Sequence, residues 1–200
     1  MNPRKIFLFV FIFATVLAII FGYFSFQAEI KKPRLPVLGQ IQEFKLKNID
    51  QKDITLSSLK GRVWVADFFF TSCSGVCPMM TKQMAALNRS FELVPEIALV
   101  SITVNPENDS AEVLKQYAQK QKANPNWYFL TGTREDITTL AVKSFKLGDI
   151  SEPIFHSTYF TLVDKNGLIR GYYDGTKQED VNKLFKDAAM LIKEKYHGLL

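Results

Sequence analysis

The chain has 200 residues and a formal net charge of +5, with two cysteines and two histidines. That length suits one domain with an appendage, and a domain of this size builds an adequate core without a disulfide staple. Acidic and basic residues are interspersed, with no Arg/Lys stripe carrying interleaved aromatics, which argues against nucleic acid as a partner.

The appendage comes first. Arg4 and Lys5 precede a charge-free run, Ile6 to Phe26 (IFLFVFIFATVLAIIFGYFSF), long enough to cross a hydrocarbon core of about 30 Å as a helix. A cleavable signal would have a shorter apolar region and a small-x-small cleavage site, so residues 1–26 are expected to be a retained membrane anchor. Lys31, Lys32 and Arg34 balance Arg4 and Lys5 across the run, and the positive-inside rule gives no orientation. A short cationic start followed at once by the apolar run favours export of the rest. Residues 27–42 (QAEIKKPRLPVLGQIQ) have two prolines, scattered charge and no period, and are read as a tether. Residues 43–200 are read as one folded domain.

Within that domain, Phe44–Ile49 and Ile54–Leu56 are predicted short strands around the turn Asp50–Asp53. Val63 to Phe70 (VWVADFFF) is nearly all apolar and aromatic, which suits a strand buried on both faces. A helix follows from Pro78, a residue favoured at the first helical position, with Met80, Met84, Leu87 and Phe91 forming one apolar stripe. Ile97–Val104 is the next strand. Asp109 with Glu112 marks a helix start, and that helix runs to about Lys122. Trp127–Leu130 is a strand, and Thr133 with Asp136 opens a helix ending near Phe145. Ser157–Val163 and Leu168–Tyr173 flank an Asn-Gly turn and form a hairpin. Thr176-x-x-Glu179 reads as a capping box before a last helix through Val181, Leu184, Phe185, Ala188 and Ile192. The fold class is therefore α/β, a mixed sheet flanked by helices. An early strand–cysteine loop–helix and a late hairpin give it a thioredoxin-like order.

Both cysteines, Cys73 and Cys77, lie in FFFTSCSGVCPMMT. Pro78 disfavours the α region for Cys77, which puts Cys77 at the helix N-cap and Cys73 in the preceding loop, where Gly75 lets the chain turn sharply. The helix-end N–H groups would then stabilise a thiolate at Cys77. Three uses of the pair are open. A structural disulfide is permitted by export, but so small a loop removes little entropy from the unfolded chain. A redox dithiol has the right fold, although the usual spacing is C-x-x-C. A metal site needs a further ligand: two thiolates and one imidazole suit Cu(I), whereas zinc wants four ligands. His156, directly before the hairpin strand, falls at the same end of such a sheet as the cysteine loop and is the favoured third ligand. His197, in the C-terminal tail, reads as solvated.

FFFTSCSGVCPMMTKQM, followed about eighty residues later by FHSTYFTLVDKNGLIRGYYDG, resembles the Sco/SenC family of copper-binding, thioredoxin-like proteins, which help assemble the dinuclear copper centre of cytochrome c oxidase. The resemblance covers roughly Phe44 to Ile192. It implies that Cys73, Cys77 and His156 bind one copper ion, as Cu(I) or Cu(II). It implies a metallochaperone whose partner is the copper-site subunit of cytochrome c oxidase or another copper chaperone. With only five residues before the apolar run and no Arg-rich presequence, the expected location is a bacterial inner membrane, single-pass, with the domain on the extracytoplasmic side. The chain departs from the family at Asn105, where a carboxylate is usual, and at Phe155, where an Asp often precedes the His; Asp109 keeps a later carboxylate.

Two rival readings use the same sulfurs. In a thiol-disulfide reductase, Cys73 and Cys77 form the catalytic dithiol and Cys77 is the expected attacking thiolate. A peroxiredoxin-type peroxidase would need a cationic pocket, and no Arg lies near either cysteine in sequence. Met79 and Met80 have soft sulfurs suited to Cu(I) in transit, with core filling as the plain reading for Met80. Phe68, Phe69 and Phe70 read as strand core and a dry wall behind the site. Asp67 is out of place in that apolar run, with a carboxylate able to tune the cysteines. Lys143 and Lys146 fit a helix C-terminus.

Overall fold

A computed structural model of the protein describes residues 3–30, 35–147 and 157–194. The chain divides into two compact units, Met1–Arg34 and Leu35–Leu200. The first is helix α1 (Pro3–Ile30). Its stretch Ile6–Phe24 spans 19 residues with a mean hydropathy of 2.7, about 28 Å at 1.5 Å per residue, long and apolar enough to cross a membrane. The helix outlasts the charge-free run because Gln27, Ala28 and Glu29 are good helix formers and no proline intervenes before Pro33.

The second unit is built on a mixed sheet with strands β1 (Gly39–Gln40), β2 (Lys45–Asn48), β3 (Asp53–Thr55), β4 (Val63–Phe69), β5 (Ile97–Thr103), β6 (Trp127–Thr131), β7 (Tyr159–Val163) and β8 (Leu168–Asp174). Their order is β1-β8-β7-β4-β5-β6-β2-β3. β4, β5 and β6 pair in parallel, and the remaining neighbours are antiparallel. Helices α2 (Leu56–Leu59), α3 (Cys77–Ser90), α4 (Ala111–Lys120), α5 (Arg134–Thr139) and α6 (Gln178–Lys193) complete the unit.

Every residue of β4 and β5 is buried, because each face of the sheet carries its own core. Val63, Val65 and Phe69 point to the face holding Cys77, Met80, Met84, Leu114 and Leu184. Trp64, Ala66 and Phe68 point to the other, with Leu59, Leu140, Phe145 and Ile169. Strand alternation thus divides the continuous apolar run of β4 between two layers. The α3 stripe expected from the sequence is buried: Met80, Met84, Leu87 and Phe91 are each 6% exposed or less.

Three local expectations are corrected. Residues 35–42 are part of the domain, not a tether: Gly39–Gln40 adds an edge strand to β8, Ile41 is buried, and Leu38 N–H and Ile41 N–H donate to Ile169 and Gly167. The strap is held by backbone bonds and by Arg170, which donates to the carbonyls of Leu35 and Pro36 while ion-paired with buried Asp164 at 2.8 Å, and so leaves no periodic pattern. Helix α4 starts after Ser110, whose Oγ accepts from Val113 N–H, rather than from Asp109. The Thr176–Glu179 capping box does not form, since Thr176 Oγ1 donates instead to Asp174 and α6 begins at Gln178 without a side-chain cap. The helix expected from Thr133 to near Phe145 forms as expected, capped by Thr133 and ending at Phe145, with its last turn over Leu140–Ser144 π-helical and Phe145 buried beneath the sheet.

Candidate functional site

The cysteine loop leaves the C-terminal end of β4 and returns in the first turn of α3. Cys77 is the first residue of that helix and Val76 its cap. The carbonyl of Val76 accepts from both Met79 and Met80 N–H at 3.1 Å, so helical bonding begins one residue earlier than proline sterics alone suggest. Pro78, lacking an N–H, stands where none is required. Gly75 has no positive φ, and a Cβ there would meet only the Cys73 sulfur, at 4.0 Å; the turn does not demand glycine.

Both thiols are free, Cys73 half-buried and Cys77 buried. Burial pushes the Cys73 thiol up, but a hydrogen bond from the Cys77 side chain and the N–H groups of Cys77 and Gly75 outweigh it and hold the Cys73 thiol below its ordinary value. Burial pushes Cys77 up to about 12, reinforced by its bond to Cys73 and by the charges of Cys73 and Asp67, against a bond from Phe70 N–H. The polarity expected from the sequence is therefore reversed. The helix-end donors serve the sulfur in front of the helix, and Cys73 is the thiolate former.

The floor of the site is polar at one point. Asp67, 2% exposed, accepts from Ser101 Oγ at 2.6 Å, and Ser101 Oγ accepts from Trp127 Nε1 at 2.9 Å. This chain of bonds crosses three neighbouring strands on the face that α3 covers. Burial pushes the Asp67 carboxyl up to about 7, opposed by the Ser101 hydroxyl and its own backbone N–H. Tyr117 of α4, whose hydroxyl lies 2.9 Å from Thr81 Oγ1, has its pKa pushed above the ordinary phenol value by burial, with the charges of Asp67, Cys77 and Cys73 adding to it. Phe69 packs on Tyr117 and Phe129 on this face, whereas Phe68 packs on Phe145 beneath the sheet, so Phe69 is the aromatic wall and Phe68 is not. Met80 is core and Met79 is 43% exposed.

Sequence reasoning missed the support of the loop. Asp109, fully buried, accepts from the N–H and hydroxyl of Thr71 and from the hydroxyl of Thr103. Asn105 accepts with its side chain from Asn108 at 3.0 Å and builds a turn.

His156, Phe155 and His197 lie outside the described residues. Among the described residues, no group of three or more His, Cys, Asp or Glu side chains is placed to hold a metal. The strand that begins shortly after His156 is held close to α3: Gly175 N–H donates to the carbonyl of Thr158 at 2.7 Å, and a Cβ at Gly175 would stand 3.1 Å from the Met80 methyl.

Residues 38–193 match the SCO1/SenC family model. A SCO1 protein homolog of Bacillus subtilis is 33% identical over 159 residues, covering 76% of this chain and 82% of the relative. BsSco, a member of the Sco family of cytochrome c oxidase assembly proteins in which a disulfide switch was identified, superposes with a TM-score of 0.71 at 32% identity, covering 80% of this chain and 98% of that one. Arabidopsis thaliana ScoI with copper bound superposes with a TM-score of 0.63 at 25% identity, covering 78% and 98%.

Proposed function

Because the chain belongs to the SCO1/SenC family, we propose that it is a membrane-anchored copper chaperone that holds one copper ion through Cys73, Cys77 and His156. In this reading α1 is a single-pass anchor in a bacterial inner membrane, and the domain works on the extracytoplasmic side. It delivers copper to, or reduces the cysteines of, the dinuclear copper site of cytochrome c oxidase. The observation that carries the reading is the paired free sulfurs: the Cys77 thiol is hydrogen-bonded to the Cys73 sulfur, and Cys73 is biased toward the thiolate. Two soft sulfur donors suit Cu(I), and one imidazole would complete a three-ligand site. Copper is the cargo, carried as Cu(I) and passed on. The residues supply the rest. N–H groups of Gly75 and Cys77 hold the Cys73 sulfur, Phe70 N–H faces that of Cys77, and Phe69, Tyr117 and Phe129 keep water from the inner side. Membrane anchoring raises the effective concentration of the domain at an oxidase in the same bilayer.

The lowered Cys73 thiol also favours a second reading, a thiol-disulfide reductase without copper delivery. The Cys73 thiolate attacks a partner disulfide and forms a mixed disulfide. Cys77 then loses its proton to the departing sulfur and closes the Cys73–Cys77 bond, and two electrons pass to the partner.

Anaerobic Cu(I) competition against a chelator, with the reduced domain of residues 35–200, separates the two. Tight one-to-one binding that weakens sharply in both His156→Ala and Cys77→Ser is the expected result. Binding indifferent to His156, or no tight binding, overturns copper delivery and leaves the dithiol as the function.

A further inference from the structure

The geometry points to Asp109 as a positioning residue for the dithiol, acting through Thr71 and Thr103. Its carboxylate is not a helix cap, since Ser110 holds that place for α4. Both oxygens are spent on the loop and on β5. Oδ2 accepts from Thr71 N–H at 3.1 Å and from the Thr103 hydroxyl, and Oδ1 accepts from the Thr71 hydroxyl. Thr71 thus commits its backbone and side-chain donors to one fully buried carboxylate. Thr103 is fixed from the other side, because its Oγ1 also accepts from Asn105 N–H at 3.0 Å.

Thr71 stands between the groups that set the two sulfurs. Phe70, directly before it, presents its N–H to the Cys77 sulfur, while the Phe70 carbonyl accepts from Cys73 N–H at 3.3 Å. Cys73 follows two residues later. A loop that carries one thiol and the N–H donor of the other keeps the sulfurs in register only if its own position is fixed. The bonds through Asp109 join it to the C-terminal end of β5, beside the Val104 N–H that already holds the Phe69 carbonyl at 2.8 Å. A charged acceptor makes such bonds stronger than a neutral one. Mutating groups that hold a metal ligand in place typically costs about 10–100-fold in affinity.

The test uses the full chain in detergent, with Asp109→Asn, Thr71→Val and the double variant beside the unaltered protein. Ile137→Val, which loosens the core on the opposite face of the sheet, serves as a control of lowered melting temperature. Three quantities are read: the rate of Cys73 alkylation by iodoacetamide, the dithiol–disulfide equilibrium in a glutathione redox buffer, and Cu(I) affinity by chelator competition. In the buffer the dithiol gives two electrons and two protons to glutathione disulfide. Both single variants are expected to slow alkylation, to shift the redox equilibrium and to weaken Cu(I) binding by about tenfold or more. The double variant should be little worse than either, since the variants break shared bonds. Alkylation, equilibrium and affinity all unchanged in Thr71→Val and Asp109→Asn, or moved equally by Ile137→Val, overturn the assignment. If Asp109→Asn fails to fold, Thr71→Val decides by the same readouts. The copper measurement rests on the function proposed above, whereas alkylation and redox equilibrium do not. An unaltered protein that binds no Cu(I) therefore removes the chaperone reading and leaves Asp109 to be judged on the thiols alone.

Discussion

Replacing Asp67 by Asn should stabilise the domain at neutral pH and flatten its response to pH. Asp67 is buried and its carboxyl is pushed from an ordinary 3.8 up to about 7, by burial first, against the Ser101 hydroxyl and its own N–H. A carboxyl raised in this way keeps its proton in the folded state where the unfolded chain has already released it. Its stabilising contribution is full below pH 3.8 and is lost as pH climbs from there to about 7. At 1.36 kcal/mol per pH unit, that interval corresponds to about 4 kcal/mol, an upper value because buried sites respond as if more polar than a dry interior. Asn keeps an acceptor for Ser101 and never ionises. Urea unfolding of residues 35–200, with cysteines reduced, at pH 4, 5.5, 7 and 8 measures the effect. The Asn variant should match the parent near pH 4 and exceed it by about 2–4 kcal/mol at pH 8. Asp53, Glu107 and Asp174 have lowered carboxyls, titrate below this window with the opposite sign, and cancel in the difference between variants. A difference that is constant with pH, or an Asn variant that is weaker at pH 8, refutes the reasoning: the ionised carboxylate would then be satisfied by its neighbours.

Other outcomes follow from the same contacts. In the reduced protein, iodoacetamide should modify Cys73 well before Cys77, and Cys77→Ala should raise the pH midpoint of Cys73 modification by removing the thiol donor; equal rates at both cysteines, read by mass spectrometry, would contradict the assigned polarity. A domain beginning at residue 43 should melt lower than one beginning at Leu35. It loses the burial of Ile41 and the carbonyl partners of Arg170, together about 3 kcal/mol or more, and identical denaturant midpoints would show that the strap adds nothing. Gly175→Ala should cost about 1–3 kcal/mol, because its Cβ would fall 2.8 Å from the Phe160 ring; an unchanged melting temperature would mean that the hairpin yields freely.

Much of the fold is readable in the chain because its signals are local. The all-apolar β4, the Met80–Met84–Leu87 stripe and the Asn166-Gly167 turn, where Gly167 has a φ of +81°, each report their own conformation. So does the adjacency of the two sulfurs, separated by three residues. What escapes is whatever depends on partners distant in sequence. Asp109 meets Thr71 across 38 positions, and nothing in NPENDS marks it as a loop holder rather than a cap. The polarity of the thiols was misread because helix position alone decides less than where the N–H groups aim, and they aim at Cys73. The strap over residues 35–42 carries no pattern because its strand is two residues long and is held through its backbone. Tyr117, by contrast, lies on the buried side of α4 with Leu114 and Ala118, a spacing that foretells burial but not nearness to sulfur.

That strap bears on reach. Any pull from the apolar helix enters the domain at Leu35, where Arg170 grips two carbonyls and the edge strand β1 is zipped to β8. The dithiol loop springs from β4, two strands further in, so tension is spent on the edge before it arrives there. If the edge gives way, residues 35–42 are paid out as extended chain, at most about 3.3–3.6 Å each. The leash then lengthens by about 27 Å while the cysteine loop keeps its shape.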